Sequence, residues 1–379
     1  MTQPPAHKPH ILFLFSDTGG GHRSAAEAII EALNLEFPGQ VTTEMVDIFR
    51  QYAPRPLNYV PDIYPTLTRA PRMWQMGYRI IDGRRRVRNM YYVLWPYVGH
   101  SLQRLLREHP CDLVVSVHQL PNIPIVWAMG QQRRPFVTVV TDMVSTHAAW
   151  FNPRADLVIV PTELAKQRAI QMRVRPDKVQ VVGMPVAERF TAPGGDRVQL
   201  RQKLGWPQDK PVVLMVGGGD GMGPLGKAVK AIDAAGLPAH LAVVCGRNKS
   251  LQNHLEAHPW QVGHTLYGFV RNMPDLMRAA DVIVTKAGPG TISEAFIAGL
   301  PILLYSRLPG QEEGNVSYVV DEGAGVWAPE PEKIVETLSD WLYHPQTRGR
   351  VAAASLRLAR PKATRQIACL LAEQLGIPK

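Results

Sequence analysis

The stretch Asp281–Asn315 constrains the fold more than any other part of the chain. Val282, Ile283 and Val284 form a β-branched apolar run, the mark of a buried strand. Gly288, Pro289 and Gly290 predict a tight turn, and Thr291, Ile292, Ser293 and Glu294 open a helix with cap-type residues in its first turn. A second apolar run, Ile302–Tyr305, follows Gly299 and Pro301. Strand, glycine turn, helix and strand in that order leave the free N–H groups of a helix N-terminus beside bare glycines. Those groups and the positive end of the helix dipole favour phosphate. Glu294, about one turn into the helix, is placed to accept hydrogen bonds from a ribose. Gln311, Glu312 and Asn315, beyond the next strand, are placed to read sugar hydroxyls.

The same grammar recurs along the chain. Ile11–Phe15 is a first strand, followed by Ser16, Asp17, Thr18, three glycines, His22 and a helix to about Leu35. These glycines do not match the dinucleotide fingerprint, because Ser24 stands where its third glycine belongs; this argues against NAD or FAD. What remains is a permissive turn that puts His22 at a helix N-terminus, where the dipole disfavours the imidazolium. A neutral ring there is able to take a proton near pH 7. Val41–Ile48 alternates like a strand, and the runs Asp112–Val117, Phe136–Val140, Leu157–Val160 and Val179–Val182 follow. His22, His118, Asp142 and His147 then lie at or just beyond the C-terminal ends of strands, with Trp150 close behind; in an open α/β sheet that edge binds ligands.

After Thr191–Gly195, which reads as a linker, the pattern starts again. Val212–Val216 runs into Gly217, Gly218, Gly219, Asp220, Gly221, Met222, Gly223 and Pro224, and Leu241–Val244 runs into Cys245, Gly246, Arg247 and Asn248. Leu266–Arg271 precedes the helix that leads to Asp281. Gly221, Gly226 and Lys227 nearly spell a P-loop, but Ala228 lacks the hydroxyl that binds magnesium and Pro224 removes a backbone donor. The expected architecture is α/β: two facing doubly wound, Rossmann-like domains with a cleft between them. The expected bounds are 1–190 and 191–345, with a helical tail, 346–379, packing back toward the first domain. No D-x-D, H-E-x-x-H or C-x-x-C occurs, so no metal or other cofactor is expected. The charge of a leaving diphosphate then falls to helix N-termini, backbone amides and cations such as Arg247.

Charge is concentrated in one place. The net charge is +10, yet eleven arginines face only Asp62 and Asp82 between Arg50 and Arg107, which leaves 31 basic against 30 acidic residues elsewhere. This segment includes Arg84, Arg85, Arg86 and Arg88, interleaved with aromatics such as Trp74, Tyr78, Tyr92 and Trp95. Nucleic acid suits such a mixture through phosphate contacts and stacking, and an anionic membrane surface suits it equally. No apolar run approaches the roughly 18 residues of a membrane span. Three cysteines in apolar surroundings, none in a C-x-x-C pair, and no signal-peptide pattern lead to the expectation of a cytoplasmic chain.

Together these motifs resemble the monogalactosyldiacylglycerol synthases and the related bacterial processive diacylglycerol glucosyltransferases, of GT-B fold. The resemblance runs from Ser16–Arg23 to the end of the Asp281–Trp341 region. Its most specific pieces are Gly217–Pro224, Cys245–Asn248, Thr285–Ile292 and Gly310–Asn315. Two departures are Asp220, where the family form has Glu, and the basic segment, which differs from the plant form.

The resemblance implies an inverting transfer of a hexose from a UDP-hexose to the sn-3 hydroxyl of diacylglycerol, giving a β-glycolipid. Galactose is favoured by the plant-type glycine loop, with glucose as the alternative. It assigns His22 as the base, with Asp17 and Asp142 as the next candidates. On the donor side it gives uracil to Phe269, Val270 and Arg271, diphosphate to Gly288, Pro289, Gly290 and Thr291, and ribose to Glu294. The hexose falls to Gln311, Glu312 and Asn315, with Gly218, Asp220 and Arg247 in the glycine-rich donor loops. On the acceptor and membrane side stand His118, His147, Trp150, Trp95, Arg84, Arg85, Arg86 and Arg88. The partners expected are UDP-hexose, diacylglycerol and an anionic membrane surface, with no nucleic acid, at the inner face of the cell membrane. The other readings are a sterol or polyprenyl-linked acceptor, or a non-catalytic sugar-nucleotide or nucleic-acid binding protein.

Overall fold

The computed structural model describes residues 8–18, 20–67, 71–131, 133–219 and 223–378, so the expectation for Asp220 lies outside the described residues. Two compact units account for the chain. The first is the chain up to Glu188 together with Pro309–Gln311 and the stretch from Lys362 onward; the second is Arg189–Leu308 with Glu312–Pro361.

The first unit is built on a parallel sheet of β1 (His10–Phe15), β2 (Thr42–Asp47), β3 (Leu113–Ser116), β4 (Phe136–Val139), β5 (Leu157–Val160) and β6 (Val179–Val181), in the order β2-β1-β3-β4-β5-β6. Parallel strands covered on both faces read as continuous apolar runs, which is why their sequences show little alternation. One face of β1, through Ile11 and Phe13, packs on Ile29 and Leu33 of the helix Gly21–Glu36 and on Ile367 and Leu371 of the helix Ala363–Gln374. The other face, through Leu12 and Leu14, packs on Tyr91 and Leu105 of the long helix Arg84–Glu108. Each such side chain, fully buried, contributes about 1.5–3 kcal/mol.

The second unit repeats the plan with β7 (Val212–Val216), β8 (His240–Val244), β9 (His264–Tyr267), β10 (Val282–Lys286), β11 (Ile302–Ser306) and β12 (Gly325–Trp327), all parallel, in the order β12-β11-β10-β7-β8-β9. In each sheet the order reverses at one place, between β1 and β3 in the first and between β7 and β10 in the second. At such a switch point adjacent loops leave in opposite directions and open a crevice at the C-terminal strand ends.

Two expectations need correction. The tail does not act as one element: Pro345–Leu358 belongs to the second unit, and only Ala363–Gln374, whose apolar stripe meets the helix Gly21–Glu36, joins the first. Pro289 and Gly290 are not turn residues. The helix starts at Pro289 with Gly288 as its N-cap, because proline is preorganised for a first helical position and lacks an N–H that would go unpaired there. The arginine-rich segment, to which the sequence pattern assigned no element, forms the helices Val60–Leu67, Pro71–Ile81 and Arg84–Glu108 in succession.

Candidate active site

At the switch point of the first sheet the first turn of the helix after β1 carries His22 and the loop after β3 carries His118. Their ring centroids lie 4.5 Å apart, edge to face. Nδ1 of His22 is 2.9 Å from the Val117 carbonyl oxygen and 2.9 Å from Thr141 Oγ1. A carbonyl only accepts, so Nδ1 carries the ring proton and Nε2 is left with a lone pair. Burial lowers the pKa of His22 to about 4, opposed by its bond to Val117. The ring is neutral at pH 7, as expected, but burial sets this, and the ring is less basic than the expected proton acceptor near pH 7. His118 is also held well below its ordinary range, by burial and by the proximity of His22. Its Nδ1 accepts the Leu120 N–H at 3.2 Å, so its Nε2 carries the proton and faces Thr18 Oγ1 at 3.3 Å.

The two carboxylates named as alternative bases are engaged. Asp17 makes a bidentate pair with Arg23, at 2.7 Å for each bond. Asp142 is buried and accepts from Trp150 Nε1 at 2.6 Å and from Gln311 Nε2 at 3.0 Å. Trp150 is wholly buried beneath the site, and His147 is buried as the cap of the short turn Ala148–Trp150, so neither meets a membrane. Trp95 packs edge-on against Trp127 with centroids 5.5 Å apart. Arg86 donates to the carbonyls of Arg79 and Ile80, closing the C-terminus of the helix Pro71–Ile81; among the four arginines it has a structural task. Arg85 and Arg88 are exposed and Arg84 half-buried.

At the switch point of the second sheet the furnishing is different. The loop after β7 brings Gly217–Gly219, and the loop after β10 brings Ala287, Gly288 and the free N–H groups of Gly290 and Thr291 in the first helical turn. Gly246, at φ +61°, lies so close to the Gly219 carbonyl that a Cβ would sit 2.5 Å from that oxygen, which makes a side chain impossible there. The next residue, Arg247, lies over the exposed Phe269 ring at 4.6 Å. Glu294 is half-buried, and burial raises its pKa to about 8, opposed by Arg189.

Lys286, at the end of β10, was given no role by the sequence reading. Its side chain reaches both glycine loops: a Cβ built on Gly218 would lie 3.3 Å from its Cε, and one on Gly288 3.0 Å from its Nζ. Glu312 holds that ammonium at 2.5 Å through one oxygen and takes the Leu308 N–H at 2.7 Å through the other. Glu312 is therefore spent on Lys286 and is not an open hexose contact. Asn315 is likewise buried, with its amide on the Ala287 carbonyl at 2.9 Å, and Gln311 is turned toward Asp142. The signal for Lys286 was a lone cation ending an apolar strand run at the glycine turn.

The family model described as monogalactosyldiacylglycerol (MGDG) synthase matches residues 22–186, and that of glycosyl transferases group 1 matches residues 196–356. A probable chloroplastic monogalactosyldiacylglycerol synthase of Nicotiana tabacum is 36% identical over 97% of this chain and 70% of its own length. Monogalactosyldiacylglycerol synthase 1 of Arabidopsis thaliana is 34% identical over 94% of this chain and 69% of its own. The chain belongs to the monogalactosyldiacylglycerol synthase family. It is a glycosyltransferase.

The fold of this family member is GT-B, with two Rossmann-like domains. The UDP co-structure of MnaA from S. aureus superposes with a TM-score of 0.63 at 14% identity, covering 98% of both chains. MurG of Acinetobacter baumannii gives 0.60 at 16%, covering 96% of this chain and 99% of its own. The plant relatives are described as chloroplastic, which overturns the expected place at the inner face of the cell membrane. Among the described residues no helix is long and apolar enough to cross a membrane.

Proposed function

We propose that this synthase-family chain transfers galactose from UDP-galactose to the sn-3 hydroxyl of 1,2-diacylglycerol with inversion, giving a β-monogalactosyldiacylglycerol. The observation that carries the reading is the lone pair on His22 Nε2, held in a neutral ring at the switch point of the first sheet. The names of the relatives, synthases of monogalactosyldiacylglycerol, support galactose and this acceptor.

In the reaction, His22 Nε2 takes the proton of the acceptor hydroxyl as its oxygen bonds to the sugar C1. The bond from C1 to the diphosphate oxygen breaks on the opposite face, and UDP leaves with the electron pair. A base as weak as His22 does not ionise the free alcohol; it takes the proton late, once the forming C–O bond has made the hydroxyl acidic. Lys286 and the first-turn amides of Gly290 and Thr291 meet the charge that develops on the diphosphate, and no metal is invoked. Glu294 holds the ribose, and Arg247 with Phe269 frames the uracil.

The helices between β2 and β3 seat the protein on an anionic lipid surface. Met73, Met76 and Ile80 form an exposed apolar stripe on Pro71–Ile81, and Tyr92, Val93 and Tyr97 are exposed on Arg84–Glu108 beside Arg85 and Arg88.

The test is incubation with UDP-galactose or UDP-glucose and diacylglycerol liposomes, with and without a chelator. UDP release that needs both lipid and UDP-galactose, with a β-anomeric product, is the expected result. A UDP-glucose preference would correct the donor, an α-anomer the stereochemistry, and absence of lipid-dependent UDP release would sink the reading.

A further inference from the structure

We propose that Thr141 is the residue that orients the base. Its hydroxyl, with the Val117 carbonyl, holds His22 in the one tautomer and ring position that leave Nε2 free for the acceptor's proton. The proposal rests on the reading of His22 as the base given above.

The proton inventory at this point is closed. Val117 O, Thr141 Oγ1 and His22 Nδ1 form a triangle, with the ring nitrogen 2.9 Å from each oxygen and the oxygens 3.4 Å apart. The hydroxyl's own proton points to the carbonyl, so its lone pairs face the imidazole and the Nδ1–H is shared between two acceptors. Turning the ring by half a revolution would put a C–H against both oxygens and lose both bonds. Thr141 is buried, and its β-branched side chain has few rotamers, so its hydroxyl is held in place without further support. Serine in this position would keep the oxygen but not the stiffness.

No other side chain does this work. Among the described residues, Thr141 is the one side chain hydrogen-bonded to His22. The groups that face the ring are His118, at 4.5 Å between centroids, and Trp150, at 6.1 Å. Both nitrogens of His118 are engaged, with Leu120 and Thr18. The carboxylates at the neighbouring strand ends are committed elsewhere, Asp17 to Arg23 and Asp142 to Trp150 and Gln311.

A catalytic histidine is commonly backed by a carboxylate, which orients the ring and also draws a second proton onto it. Here the backing is a hydroxyl and a carbonyl. Neither carries charge, so the ring is oriented without being protonated in advance. That choice suits a base that must be neutral before the acceptor arrives.

The experiment pairs turnover with ¹⁵N NMR of the imidazoles in the full chain, for wild type, Thr141→Val, Thr141→Ser and His22→Ala. Wild-type His22 should show its proton on Nδ1. Thr141→Val should keep the proton on Nδ1, where the Val117 carbonyl still accepts it, but shift the His22 Nδ1 resonance as one acceptor is lost and lower kcat roughly ten- to hundredfold, the scale of a misplaced catalytic group, with UDP affinity unchanged. Thr141→Ser should recover most of the turnover and the wild-type resonance. A wild-type proton on Nε2 would overturn the proposal without any variant, even if Thr141→Val does not fold. So would a Thr141→Val protein with wild-type turnover while His22→Ala is inactive, which leaves the base reading standing. If His22→Ala keeps its turnover, the base reading fails and takes this proposal with it.

Discussion

The two switch points of this molecule are topologically alike and chemically opposite. Between β1 and β3 stand a half-buried and a buried imidazole, a threonine hydroxyl and a carbonyl, and among the described residues no charged group is hydrogen-bonded to either ring. Between β7 and β10 stand bare glycines, a helix N-terminus and one lysine held by one glutamate. A proton acceptor works best neutral and shielded, whereas an anion site needs exposed N–H groups and a cation. Burial acts in both places and always favours the uncharged form. It lowers His22 to about 4 and raises Glu294 to about 8. The lesson is that topology chooses the place and the few residues after each strand choose the chemistry.

The sharpest way to break this contrast is at His22. His22→Ala should lower kcat roughly 10²–10⁴-fold with UDP affinity intact. The acid limb of kcat/KM in wild type should fall near pH 4 rather than 6.5, because activity is lost only when the depressed group protonates. A limb near 6.5 would show that another group titrates. The same depression makes the fold lose stability as pH falls from about 6.5 toward 4, where the unfolded chain binds the proton first.

Lys286 probes the other side. Lys286→Met should lower kcat roughly 10²–10³-fold, comparable to removing an oxyanion donor, and should weaken UDP binding as well. It also leaves the buried Glu312 carboxylate unpaired, so the melting temperature should drop. Lys286→Met with Glu312→Gln should restore the fold but not the rate. If the double variant regains turnover, Lys286 has only a structural role.

A third measurement asks how separate the halves are. Replacing Arg84, Arg85 and Arg88 by Gln, and sparing Arg86 because it closes a helix, should weaken binding to phosphatidylglycerol vesicles on the order of a hundredfold, at about 1 kcal/mol per arginine. UDP affinity should not change. Equal wild-type binding to neutral and anionic vesicles would leave the apolar stripe as the whole attachment.

The smallest effect belongs to Glu294. Glu294→Ala should weaken UDP and UDP-galactose alike by about 1–3 kcal/mol. Since its carboxyl is held protonated up to about pH 8, ribose hydroxyls that prefer the carboxylate should expel a proton, visible as buffer-dependent heat at pH 7. Glu294→Gln should abolish that heat. It should also remove the stability loss that wild type undergoes as pH rises from about 4.5 to 8, where the unfolded chain has ionised and the native carboxyl has not. Unchanged UDP affinity for Glu294→Ala would remove the residue from the donor site.

Much of the fold was legible because buried parallel strands are written as apolar runs. Leu157–Val160 and Val212–Val216 coincide with β5 and β7, and the other runs read as strands differ only at their ends. The three-residue edge strand Gly325–Trp327 was not read, being too short to form a pattern. Glu312 and Asn315 sit beside the glycine turn, yet they point into the protein, at Lys286 and Ala287. Spacing along a chain reports which side of a strand or helix a residue occupies, not which of its neighbours claims its oxygens.

That division has a physical basis. Hydrophobic period, glycine placement and the residue after each strand are local, so the sequence alone determined two α/β units, a helix N-terminus beside glycines after β10 and a histidine at a helix N-terminus. Hydrogen-bond partners and burial come from residues brought together by folding. Only the tertiary structure therefore decided that His22 Nδ1 meets Val117 and Thr141, 95 and 119 positions away, that its pKa falls, and that Lys286 stands at both glycine loops.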